Sequence, residues 1–186
     1  NFTIEKAAKK ITVSRTSVKK AYGSKAFSLG AKTVSGEKLT YATNAKKVAT
    51  VNAKGKVTVK NIGKAIITIT SKESANYKKA VKKVTITVQP KKEKISSVKS
   101  SKTARMTVKW KKDAKASGYQ ITYSTSKKFT KAKTKSVAVK SYKTTSKTIS
   151  KLKKGKTYYV KVRAYKTVNG KKIYGTYSAV KKIKIK

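Results

Sequence analysis

Any chemistry performed by this chain has to come from lysine ammoniums, tyrosine hydroxyls and five carboxylates, because histidine and cysteine are both absent. Without them there is no imidazole base, no thiolate nucleophile, no Ser-His triad and no Cys/His metal set. The acids are Glu5, Glu37, Glu73, Glu93 and Asp113, and no two stand closer than 20 residues. Neither a general acid–base pair nor a calcium loop can therefore be written from neighbouring positions, and only folding could bring two acids together. No nucleophile, base and electrophile can be assigned together, so the chain is expected to be non-catalytic, with no cofactor and no metal.

What remains is charge. Lysine plus arginine number 51 against 5 acids, a formal net charge of +46 over 186 residues, and all but Arg15, Arg105 and Arg163 are lysines. A surface of that density draws polyanions. Lysine is a point charge without the guanidinium fork, so sequence-specific nucleic-acid reading is not expected, and nucleic acid should be held only nonspecifically at low salt. The 11 tyrosines offer faces for carbohydrate stacking. Tyr165, Tyr174 and Tyr177 flank Asn169-Gly170, the strongest hairpin signal in the chain. Tyr165, Asn169, Tyr174 and Tyr177 are candidate binding positions at one end of the second half. The bland reading is that the tyrosines cover sheet faces and that the lysines keep the surface solvated and free of edge-to-edge pairing.

The elements that must position these groups are strands. Strict alternation marks Lys56 to Lys60, Val84 to Val88 and Val160 to Ala164. Shorter runs at Ile11 to Val13, Lys38 to Tyr41, Ala65 to Thr70, Met106 to Trp110, Tyr119 to Tyr123, Val137 to Val139, Lys147 to Ile149 and Val180 to Ile185 add to them. Glycine turns such as Val34-Ser35-Gly36, Ala53-Lys54-Gly55 and Lys154-Gly155 separate the runs, and no stretch keeps a helical period for three turns. Charge density alone predicts disorder. The lysines, however, take positions opposite to Val, Ile and Tyr and leave one apolar face per strand, which two sheets can bury together. If Val160, Val162 and Ala164 point inward, Lys161 and Arg163 face out, and Lys182 and Lys184 of the last strand offer further cations on a comparable face. That arrangement predicts a cationic stripe.

The only proline, Pro90, sits between the Val84 to Val88 strand and a fresh alternating run. It divides the chain into an expected sandwich over 1–89, a linker over 90–94 and a second sandwich over 95–186. Residues 91–186 hold 31 basic and 2 acidic side chains, against 20 and 3 before them. Apolar runs never exceed a few residues, so neither a membrane span nor a signal peptide is expected within the chain.

The second half resembles a fibronectin type III module. Val108-Lys109-Trp110 is similar to its second strand with the core tryptophan, and Gly118-Tyr119-Gln120-Ile121-Thr122-Tyr123 to its third, with Tyr119 and Tyr123 facing the core. The run from Leu152 to Ala164 resembles the corner and strand that follow, with Tyr158 at the tyrosine-corner position and Lys154 where proline is common. The first half resembles a bacterial immunoglobulin-like module of group 2 type, as repeated in surface proteins of Gram-positive bacteria. Val48-Ala49-Thr50-Val51, the Asn52 to Gly55 turn and Lys56-Val57-Thr58-Val59 carry that resemblance, with Gly63 to Ile69 and Asn76-Tyr77 after them.

The two resemblances imply an all-β pair of tandem sandwiches from an exported, cell-wall-associated or secreted multidomain protein. The expected partner is an acidic glycan, a wall polymer or a host protein such as immunoglobulin or mucin, met by a monomer. The alternative is a spacer that displays a neighbouring domain away from the wall.

Overall fold

The computed structural model describes residues 5–34 and 36–186, so Ser35, within one of the expected turns, lies outside the described residues. The chain forms two compact units, Asn1–Val88 and Gln89–Lys186. The first carries β1 (Ile11–Thr12), β2 (Ser17–Ala21), β3 (Phe27–Ser28), β4 (Lys32–Thr33), β5 (Leu39–Thr43), β6 (Ala49–Val51), β7 (Lys56–Val59), β8 (Gly63–Ser71) and β9 (Ala80–Gln89). They pair as a four-stranded sheet in the order β2-β9-β8-β5, a three-stranded sheet β3-β7-β6 and the small ladder β1-β4. In β8, Ala65, Ile67 and Ile69 are wholly buried while Lys64, Ile66, Thr68 and Thr70 look out. The period of two puts every apolar residue but Ile66 on the inner side. Ten buried residues, among them Val57, Ile67, Ile69, Val84 and Ile86, make this core.

The second unit carries β10 (Ile95–Lys99), β11 (Met106–Trp110), β12 (Gly118–Ser124), β13 (Thr134–Val139), β14 (Ser146–Ile149), β15 (Thr157–Val168), β16 (Lys171–Tyr174) and β17 (Lys181–Lys184). One sheet runs β10-β11-β14 and the other β13-β12-β15-β16, with β17 also on β15. Ile95, Met106, Val108, Trp110 and Ile149 from the first sheet meet Tyr119, Ile121, Tyr123, Val139, Tyr158, Val160, Val162 and Ala164 from the second in one buried cluster. It is the larger of the two cores, with sixteen buried residues. Residues 90–94, expected as a linker, count within this unit, where Pro90 and Glu93 are buried and Lys94 O accepts from Lys111 N at 3.1 Å.

Leu152, buried with the same cluster, precedes a turn in which Lys153 N donates to the Tyr158 hydroxyl at 3.2 Å. That bond closes the corner leading into β15. At the far end of β15, Asn169 and Gly170 both adopt positive φ, 48° and 73°, in a two-residue turn joining Val168 to Lys171. Such a turn matches the twist of the strands it joins and accepts asparagine and glycine readily. β15 is twelve residues long. Its N-terminal half pairs with β17 (Thr157↔Lys184 to Val160↔Lys181) and its C-terminal half with β16 (Tyr165↔Tyr174 to Val168↔Lys171). Residues 175–180 leave the ladder between them, held instead by Gly175 N to Ala164 O at 2.9 Å, Ser178 N to Val162 O at 2.7 Å and Val162 N to Ser178 Oγ at 3.1 Å.

Candidate functional site

The outer face of the β13-β12-β15 sheet follows from its register. Because Tyr119, Ile121 and Tyr123 point to the core, Gly118, Gln120, Thr122 and Ser124 point out, and across the ladder they meet Tyr165, Arg163, Lys161 and Tyr159. Lys182 and Lys184 oppose Tyr159 and Thr157, so they lie on this same face, exposed.

Lys161 and Arg163 do face outward, but they are not bare charges. The Lys161 ammonium lies 4.0 Å from the Phe129 ring centre and 4.5 Å from that of Tyr177. The Arg163 guanidinium lies 3.9 Å from the Tyr174 ring and 4.4 Å from Tyr177, and its Nε donates to Gln120 Oε1 at 2.8 Å. Tyr177, carried by the segment that leaves the ladder, bonds Thr122 Oγ1 at 3.0 Å and Gln120 Oε1 at 3.2 Å. Burial among these rings, with the Arg163 charge beside it, lowers the Lys161 pKa. Cation and ring attract through the ring quadrupole. The stripe expected from the sequence is therefore split: Lys182 and Lys184 are open, whereas Lys161 and Arg163 are already engaged by aromatics of their own chain.

Tyr165 is likewise corrected as a stacking position. It is 3 % exposed and its ring packs 5.8 Å from that of Tyr174. The reason is Gly118 opposite it: a Cβ there would stand 2.8 Å from the Tyr165 hydroxyl and 2.1 Å from Val139 O, so the missing side chain is the space the tyrosine fills. Tyr174 and Tyr177 stay half-buried, and Asn169 is exposed at the turn.

Two acid sites were not legible in the sequence. Glu93 is 7 % exposed and its pKa is pushed up to about 7, first by burial and then by the nearby negative charge of Asp113, against a favourable backbone N–H of Lys94. Asp113 Oδ2 is buried and has no hydrogen-bond partner among the described residues. Folding thus brings together two acids that are 20 residues apart in sequence. In the first unit, the Lys9 amine, with its side chain 1 % exposed, bonds the Glu37 carboxylate and Lys72 O. Ser74 Oγ at 2.7 Å and Ser71 Oγ at 3.0 Å also donate to Glu37, and with Lys9 they hold its pKa down to about 2. Glu37 stands in a polar stretch of sequence, which gave no sign of a buried lysine reaching it.

Comparison with known proteins agrees with this architecture. Residues 7–84 match the model of the bacterial Ig-like domain (group 2), and residues 89–178 that of the fibronectin type III domain. Among solved structures, chicken CNTN1 FN1-FN3 domains align over 81 % of this chain and 58 % of that one, at 18 % identity and a TM-score of 0.45. A fibronectin type III domain derived from human KIAA0970 protein aligns over 50 % of this chain and 72 % of that one, at 20 % identity and a TM-score of 0.40. The chain thus spans little more than half the length of the first of these structures. No curated protein matches it significantly. Domains of both families commonly serve in adhesion or as spacers, are typically non-catalytic and are typical of extracellular surface proteins. Among the described residues, no helix is long and apolar enough to cross a membrane. With both sandwiches matched in sequence order, the chain is a bacterial Ig-like domain of group 2 followed by a fibronectin type III domain.

Proposed function

We propose that the two domains form a non-catalytic binding segment of an exported bacterial surface protein, holding acidic glycans, wall polymers or acidic host proteins such as mucin through lysine-rich surface. The observation that carries this reading is the charge imbalance of the second unit. It has 31 cations against 2 acids, of which Glu93 is buried, so the carboxylates of the unit can offset only a small part of its charge. The lysine–carboxylate ion pairs Lys6–Glu73, Lys9–Glu37 and Lys78–Glu5 all lie in the first unit. The positive field of the second unit is left to be met from outside.

The test is equilibrium binding to wall polymer, mucin, sulfated glycan, immunoglobulin and duplex DNA across a salt series. The adhesive reading expects at least one of the first four to remain bound at physiological salt after duplex DNA is lost. Affinities that fall together, none surviving at physiological salt, refute it. That result favours a spacer, a reading supported by the spread of lysines over both units. Charge reversal at Lys182 and Lys184, which carry no ring contact, should weaken an adhesive surface and leave a spacer unchanged.

A further inference from the structure

Lys161 and Arg163 of β15 are occupied by rings, whereas Lys99 of the opposite sheet is exposed. Met106 and Val108 of β11 are buried, so Thr107 between them points outward, and the register sets Lys99 of β10 on one side of it and Thr148 of β14 on the other. Together with Ser101, Lys102 and Arg105 they line a hollow of about 210 Å³. It holds three cations and three hydroxyls and no acid. We propose that this hollow is an oxoanion cradle, taking a phosphate or sulfate ester group of a polyanionic ligand. The proposal rests on the polyanion-binding reading above and names where on the surface the ester group sits.

Three features make the hollow a prepared site rather than a chance meeting of surface lysines. First, the turn that carries Lys102 and Arg105 is pinned. Buried Ser100 donates through Oγ to Arg105 O at 2.7 Å and accepts from Lys186 N at 3.1 Å. Ala104, at φ 55°, donates to Lys186 O at 2.8 Å and accepts from Leu152 N at 3.0 Å. Lys186 and the corner before β15 thus hold the turn in place, so ordering it is not charged against ligand binding.

Second, Arg105 is the guanidinium this unit keeps open. Arg163 is spent on Gln120 and two tyrosine rings, while Arg105 is exposed and makes no hydrogen bond or ion pair through its side chain among the described residues. An open guanidinium fork matches two oxygens of a tetrahedral anion.

Third, Thr107 Oγ1 and Thr148 Oγ1 stand 2.9 Å apart as a hydrogen-bonded pair. The pair has two hydroxyl hydrogens and uses one between its members, which leaves the other to donate into the hollow. Three like charges gathered by the backbone repel one another until an anion enters, and that relief adds to the attraction.

The experiment measures binding to polyphosphate and to dextran sulfate at physiological salt. It compares the parent with Lys99→Gln/Lys102→Gln/Arg105→Gln and with the control Lys127→Gln/Lys128→Gln/Lys131→Gln, which removes the same charge from exposed positions elsewhere in the unit. The cradle variant should lose at least about tenfold on one or both polymers and the control less than about threefold, since each lost phosphate contact costs charge-linked affinity. Loss on one polymer alone supports the cradle and identifies its ester. Equal losses for the two variants overturn the cradle while leaving general polyanion adhesion standing. A parent that binds neither polymer removes both.

Thr107→Val/Thr148→Val keeps every charge. It should weaken binding severalfold with an unchanged salt slope, and an unchanged affinity counts against the hydroxyl pair. Should the triple variant fail to fold, titration of the parent with inorganic phosphate and sulfate against chloride at matched ionic strength still decides. Saturable amide shifts confined to 99–107 and 147–149 support the cradle, and uniform shifts over all lysine-bearing strands refute it.

Discussion

Replacing Glu93 by glutamine should remove a pH dependence from the second unit. Its carboxyl is almost wholly buried, faces the negative charge of Asp113 and is held at about 7 instead of 4.5. Lys92, Lys94 and Lys181 line a second hollow together with Glu93, yet none forms an ion pair with that carboxyl among the described residues. The folded state therefore binds this proton more tightly than the unfolded state. Stability falls as pH rises from about 4.5 to about 7, and the penalty is fully present above that range. The difference of pKa, at about 1.4 kcal/mol per pH unit, amounts to about 3 kcal/mol.

Urea unfolding followed by tryptophan fluorescence reads this unit alone. The chain has one tryptophan, Trp110, buried in the second core with its ring 5.3 Å from that of Tyr119. With a slope on the order of 1.5 kcal/mol/M, the parent's midpoint should fall by about 2 M between pH 5 and pH 8. Glu93→Gln should hold its midpoint over that range and exceed the parent at pH 8. The background is clean, because without histidine no other side chain ordinarily titrates there. Parent and variant that decline in parallel would show that Glu93 ionises freely and would refute the reasoning.

Gly118→Ala should destabilise the second unit by roughly 2–4 kcal/mol by the same assay, because its Cβ would meet Val139 O at 2.1 Å, and backbone cannot swing aside as a flexible side chain can. Lys9→Met should lower the melting temperature of the first unit at pH 7 by circular dichroism. Glu37's depressed pKa contributes stability above about 4.5 that is lost as pH falls towards 2, so the deficit should shrink on acidification; a deficit independent of pH contradicts the pairing. Added salt should raise the melting temperature of the whole chain between low and moderate ionic strength, since +46 charges repel one another, and a flat response would count against self-repulsion.

Much of the strand content was readable because the core positions recur at a strict period of two. Met106 to Trp110 coincides with β11, and Val160, Val162 and Ala164 are inward as the alternation requires. β2 and β16 were missed because paired lysines in Ser17–Ala21 and Lys171–Tyr174 break that alternation. Both are outer strands of their sheets, where such breaks are tolerated. The Asn169-Gly170 hairpin was legible because its turn depends on two adjacent residues that tolerate positive φ. The roof over Lys161 and Arg163 was not, because it depends on a strand interrupted at 175–180, which lets Tyr177 swing onto the face.

The sequence by itself determined the sandwich architecture, the identity of most core residues and the excess of positive charge, since each is a local or additive property of residue types. Tertiary structure alone decided which of those charges are open. Lys161 and Arg163 are taken up by aromatics, Lys9 is buried on Glu37, Glu93 is set near Asp113, and Lys99, Lys102 and Arg105 are gathered around two threonines. Periodicity tells which face a side chain leaves from. Which distant partner meets it there depends on strand register and on turns that couple residues far apart in the chain.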